Sequence, residues 1–103
     1  MFLYGKMTQK VLVTTGGGED SLPAIVQGDD VQNPEAIAIQ SKDANTALVF
    51  IGKTGVQTDD STGAFVFAPG DNGILPYTKD ESLKVKSNSA GQVLYITYLS
   101  SVG

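Results

Sequence analysis

Residues 92–99 read Gln92-Val-Leu-Tyr-Ile-Thr-Tyr-Leu99, and residues 82–87 read Ser82-Leu-Lys-Val-Lys-Ser87. Successive side chains of a β-strand point to opposite faces, so residues two apart share a face. In the second stretch Leu83 and Val85 fall on one face and Lys84 and Lys86 on the other, as a half-buried strand requires. The first stretch is apolar on both faces. Val93, Tyr95, Thr97 and Leu99 share one, and Leu94, Ile96 and Tyr98 share the other. Short runs of this kind, punctuated by twelve glycines, four prolines and many Asn, Asp, Ser and Thr residues, spell an all-β protein.

Working outward, strands are expected near 9–15, 23–27, 36–41, 46–52, 55–57, 64–68, 73–78, 82–87 and 92–99. At 103 residues the chain has room for one hydrophobic core. The expected architecture is an antiparallel β-sandwich of about eight short strands, jelly-roll or immunoglobulin-like, over residues 9–103, with residues 1–8 as an N-terminal arm. Asn33-Pro34-Glu35 carries the signals of a helix start, but Ile37 and Ile39 alternate with Ala36 and Ala38, which fits a strand better. Asn72-Gly73 reads as a turn, Pro69-Gly70 as the centre of a type II turn, and Asn88 to Gly91 as a hairpin joining 82–87 to 92–99. Asp59 to Gly63 reads as a polar connection. Gly16-Gly-Gly18 reads as a mobile loop, and residues 27–34 as a second long polar loop.

The composition excludes several chemistries. There is no Cys, His, Trp or Arg, and all seven basic residues are lysines. Ordinary zinc sites and Ser-His or Cys-His nucleophile pairs are therefore out of reach. A net charge of −4 with scattered lysines argues against nucleic acid. No apolar run approaches the roughly 20 residues of a membrane span, and Met1-Phe-Leu-Tyr-Gly-Lys6 lacks the pattern of a signal peptide. Synthesis in the cytoplasm is expected. Gly52-Lys53-Thr54 ends like a phosphate-binding loop, yet Leu48-Val-Phe-Ile51 stands where the glycine-rich cradle belongs, so a plain turn is expected. Gly16-x-Gly18 lacks both the third glycine and a following helix. The doublets Asp29-Asp30 and Asp59-Asp60 have no calcium-loop spacing and read as solvated. No enzyme, cofactor or metal is expected.

The doubling of apolar faces, repeated in Ala47 to Ile51 and Ala64 to Ala68, carries the functional expectation. A two-layer sandwich strand has one face in the core and usually the other in water. Surplus apolar surface needs a cover, either the loops of residues 16–35 or another subunit. The expected contact residues are Phe2, Leu3 and Tyr4 in the arm, with Leu94, Ile96 and Tyr98 on the second face of the last strand.

Residues 44–52 (Ala44-Asn-Thr-Ala-Leu-Val-Phe-Ile-Gly52), Gly55-Val56, Phe65-Val-Phe-Ala-Pro-Gly70 and Leu94-Tyr-Ile-Thr-Tyr98 together resemble a loose pattern of small structural proteins of tailed-phage virions. There an Asn-Thr strand ending in Ile-Gly precedes a Pro-Gly turn and a closing Val-x-Tyr strand. The similarity covers roughly residues 36–99 and departs at Asp71-Asn-Gly-Ile-Leu-Pro76. It implies a virion component, foremost a capsid decoration or cement protein. Such a protein acts as a homo-oligomer, a trimer foremost, on a major capsid protein or another virion protein, without nucleic acid or membrane. A head–tail connector, neck or fibre-base protein is the neighbouring alternative. A carbohydrate-binding module is a third; it needs exposed loop aromatics, and only Tyr77 lies near a loop.

Overall fold

The computed structural model describes residues 4–58, 64–78 and 83–101. Among them are eight strands and no helix: β1 (Tyr4–Val13), β2 (Glu19–Ser21), β3 (Ala36–Ser41), β4 (Val49–Lys53), β5 (Phe65–Phe67), β6 (Asn72–Pro76), β7 (Leu83–Lys86) and β8 (Val93–Ser101). First pairs with last, second with seventh, third with sixth and fourth with fifth, all antiparallel. That nesting describes one long hairpin. Wrapping the hairpin round itself brings β8 beside β3 and β7 beside β4, giving sheet I (β1-β8-β3-β6) and sheet II (β2-β7-β4-β5). The expected all-β antiparallel sandwich is what forms. Its strand order is that of a jelly roll, two interlocked Greek keys.

The core lies between the sheets. Leu12 of β1, Ile37 and Ile39 of β3, Leu75 of β6, and Leu94, Ile96 and Tyr98 of β8 meet Val49 and Ile51 of β4, Phe67 of β5 and Val85 of β7. Alternation places each of them: β3 buries its odd positions and β8 its even ones, and each aliphatic side chain so enclosed stabilises the fold by about 1.5–3 kcal/mol. Gly73 faces this core from β6. A Cβ there would lie 3.5 Å from the Phe67 ring, an ordinary packing distance, so Gly73 sits directly against the phenylalanine.

Connections between the sheets are tied by side chains. Gln92 accepts the backbone N–H groups of Thr46 and Ala47 on its Oε1, at 2.8 and 3.0 Å. Ser87 Oγ donates to the Leu48 carbonyl at 2.9 Å. Among the described residues no buried side-chain polar atom lacks a partner.

Several expectations are corrected. Residues 4–8 are not an arm: β1 starts at Tyr4 and pairs with β8 from there, with a bulge between Tyr4 and Lys6. Residues 1–3, including Phe2 and Leu3, lie outside the described residues, as do 59–63. The segment 23–27 is not a strand; with Leu22, Ile25 and Val31 packed against the core it caps the sandwich instead. Residues 55–57 are not a strand either. Thr54 and Gly55 form a turn closed by the Val56 N–H on the Lys53 carbonyl, 3.0 Å, the plain turn expected after Gly52-Lys53-Thr54. Residues 88–91 do not close a hairpin, because β7 and β8 belong to different sheets. Asn72-Gly73 sits inside β6, opposite Gln40 and Ile39. Pro69-Gly70 is the type II turn: Gly70 has φ +85° and the Asp71 N–H reaches the Ala68 carbonyl at 2.9 Å. The Gly16–Gly18 loop is a built corner. Gly17 donates to the Ser87 carbonyl at 2.8 Å, and a Cβ on Gly16 would stand 2.8 Å from the Ala90 nitrogen.

Candidate functional site

The two outer faces of the sandwich are treated differently by the chain. On sheet II, Phe50 points outward between Lys86 and Val66, and Gly52 lies opposite Lys84. The chain beyond β4 turns back across this face. Val56 packs over Gly52, the Gly55 N–H reaches Glu19 Oε1 at 2.5 Å, and Thr58 Oγ1 donates to Asn88 Oδ1 at 2.9 Å. Phe50 and Val56 are buried. Glu19, Lys84 and Lys86 complete the surface with charge, Lys84 donating to Ser21 Oγ at 3.0 Å. This face largely covers itself with its own chain and rings itself with charge; Val66 of β5 stays 43% exposed at its edge.

Sheet I does neither. The pairings set its outward side chains in rows across the strands: Val13 beside Val93; Val11, Tyr95, Gln40 and Asn72; Gln9, Thr97, Ala38 and Ile74. Met7 opens the next row, in which Leu99 and Ala36 are buried, so the open part of the face ends there. Met7, Val11, Val13 and Ile74 are each more than half exposed, and Tyr95 39% exposed. No outward position of these four strands is charged. Lys42, one residue past the end of β3, is the first charge at the rim. Short side chains at Ala38 and Thr97 between taller neighbours leave a groove of about 570 Å³, bordered by Gln9, Val11, Gln40, Asn72, Ile74 and Tyr95. Gln9, Gln40, Asn72 and Thr97 make no side-chain hydrogen bond to another described residue, and neither does the Tyr95 hydroxyl. Elsewhere Asn45, Gln32, Gln92, Thr14 and Ser87 all spend theirs.

The sequence expectation for β8 is right about the doubling and wrong about the side. Leu94 and Ile96 are fully enclosed and Tyr98 is 1% exposed, so all three belong to the core and are closed to a partner. Both faces of 92–99 are apolar, which hides the parity. Its cross-strand partners settle it, since Leu94 lies opposite Leu12 and Ser41, all buried. The outward set is Val93, Tyr95 and Thr97, with Leu99 on the same side but buried. The missed residues on β1, β3 and β6 carried a signal in Met7-Thr-Gln-Lys-Val-Leu-Val13, whose odd positions hold no charge. Tyr4 lies in β1.

A second hollow, about 330 Å³, sits under the cap between Leu22, Pro23, Ile25, Gln32, Tyr77 and Tyr98. Tyr98 donates its hydroxyl to the Pro23 carbonyl at 2.5 Å, with the Tyr77 ring centred 5.8 Å away. Burial pushes this phenol well above the ordinary tyrosine range. Beside it Lys10 and Asp29 form an ion pair at 2.9 Å, and the Val26 N–H, also bonded to Asp29, holds that carboxyl below its usual range. These contacts hold the cap to β1 and β8.

The fold and this face define a class, an eight-stranded jelly roll with one uncharged, uncovered sheet surface. No family model, no curated protein and no solved structure matches the chain.

Proposed function

We propose that the protein is a non-enzymatic virion structural protein of the capsid-decoration type, resident on a phage head and stabilising it through protein–protein contacts. The observation that carries this reading is the outer face of sheet I, where exposed Met7, Val11, Val13, Tyr95 and Ile74 stand with no charge among them. Depletion of charge and enrichment in aromatic and aliphatic side chains mark the centre of a protein contact, with charge relegated to the rim. A monomer with nothing to bind gains nothing from leaving such a surface open. Jelly rolls recur among viral capsid proteins, lectins and cupins, so the fold admits the reading without selecting it. The absence of His, Cys and Arg from the chain supports a role in contact over one in catalysis.

Heads prepared without the protein test the reading. Incubated with the purified chain and pelleted, they carry it down, and Val11→Asp and Ile74→Asp variants stay in the supernatant with unchanged circular dichroism. Equal pelleting of both variants and the parent contradicts the assignment of the face.

A carbohydrate-binding module is the second reading, and Tyr95 favours it. Its ring lies half-open beside unspent amides, an arrangement that suits the apolar face and hydroxyls of a sugar. A rise in melting temperature with neutral oligosaccharides is its signature.

A further inference from the structure

Taking the outer face of sheet I as the surface through which the protein assembles, we infer that its occupant is the same face of a second copy, packed about a two-fold axis, so that face variants detach from heads by losing the two-fold valency of the dimer. Three observations carry this. First, a charged partner surface set against this face leaves buried charges without counter-charges, which is costly. An uncharged face is best met by another uncharged face, and a second copy supplies one of matching size. Second, the groups left unspent are amides and hydroxyls: Gln9, Gln40, Asn72, Thr97 and Tyr95. Each both donates and accepts, so each can pair with its own copy, as carboxylates and ammonium groups cannot. An isologous contact demands that self-complementarity. Third, the size suffices. Four strands about 4.8 Å apart and roughly seven residues long give a footprint of about 450 Å². The projecting Met7, Val11, Tyr95 and Ile74 raise the accessible area towards the roughly 600 Å² per partner at the low end of specific interfaces. The Tyr95 ring of each copy has the bulk to fill the groove over Ala38 and Thr97 of the other. Sheets packed in this way lie about 10 Å apart, as the two sheets of one sandwich do.

Size-exclusion chromatography with light scattering, over a concentration series of the full chain, tests this. The expected result is twice the chain mass. Val11→Asp and Ile74→Asp, at exposed positions that the core does not use and on opposite edge strands of the face, weaken the dimer by more than about 100-fold, because each buries an unpaired charge in the interface. Leu48→Asp, exposed in the connection just ahead of β4, leaves it intact. A parent chain that stays monomeric at 100 µM, or a dimer indifferent to both variants, overturns the inference. So does a trimer, although a trimer that needs the same face leaves the decoration reading standing. A monomer whose face variants still bind heads removes the dimer and the assignment of this face, and moves head binding to another surface.

Discussion

The side chain of Asn45 brackets the backbone of Val93: its Nδ2 donates to the Val93 carbonyl at 2.8 Å and its Oδ1 accepts the Val93 N–H at 2.8 Å. A single amide thus stands in for a neighbouring strand at the start of β8, and its second N–H reaches Ser41 Oγ at 2.9 Å. This lock fixes where β8 enters sheet I, and with it which residues of 93–99 face outward.

Asn45→Ala leaves both polar groups of Val93 without that partner. The expected cost is about 2–3 kcal/mol, summed from unsatisfied or water-exchanged bonds of about 1 kcal/mol each. Asn45→Asp keeps the acceptor and loses both donors, so it fails to restore the parent value at neutral pH. Urea unfolding of the two variants checks both statements.

The inversion of β8 predicts opposite costs for neighbouring apolar residues. Ile96→Ala opens a cavity in the core and costs about 2–5 kcal/mol, whereas Val11→Ala, on the outer face, costs under about 1 kcal/mol in the dissociated chain. Similar losses at the two positions, measured by denaturant titration at low protein concentration, contradict the face assignment.

Tyr98 ties the cap to the core. Tyr98→Phe removes the donor to Pro23 and costs about 1 kcal/mol. The phenol, raised by burial in the folded chain, is released near pH 10 in the unfolded one. Its contribution is fully present below pH 10 and is lost as the pH rises beyond it. Stability of the parent therefore falls with pH in that range, and the fall is smaller in Tyr98→Phe. Unfolding curves from pH 9 to the highest accessible pH show the difference.

At the acid end Asp29 acts in the other sense. Its carboxyl is held below 3.8 by the Val26 N–H and by Lys10, so its contribution is complete above about pH 4 and disappears as the pH falls through the lowered value. Asp29→Asn is less stable than the parent at pH 6, and the gap narrows towards pH 2. A gap that is constant with pH shows that the ion pair and the charged cap bond contribute nothing.

Much of this architecture was legible in the chain. Alternation in 82–87 and 36–41 marked β7 and β3, and the spacing of turns marked a sandwich. What escaped has physical reasons. β2 is Glu19-Asp-Ser21, three polar residues that enter the sheet by pairing with β7, so no apolar periodicity announces it. Residues 23–27 are apolar because they cap the core, a role that needs hydrophobicity without strand geometry. The polar turn at 88–91 joins strands adjacent in sequence but in different layers, and sequence adjacency cannot tell a hairpin from a crossing. The contact face was legible as a surplus of apolar surface, and not as a position. When both faces of β8 are apolar, only the neighbours β1 and β3 reveal which one the core takes.

The claim that most depends on these observations is that the outer face of sheet I is closed off in the assembled protein. Hydroxyl-radical footprinting of free, dilute chain against the assembled particle reads this directly, since Met7 and Tyr95 lie on that face and Phe65 on the other sheet. The account predicts that oxidation of Met7 and Tyr95 drops sharply on assembly while that of Phe65 falls less. Met7 and Tyr95 that oxidise as fast in the particle as in the free chain contradict it.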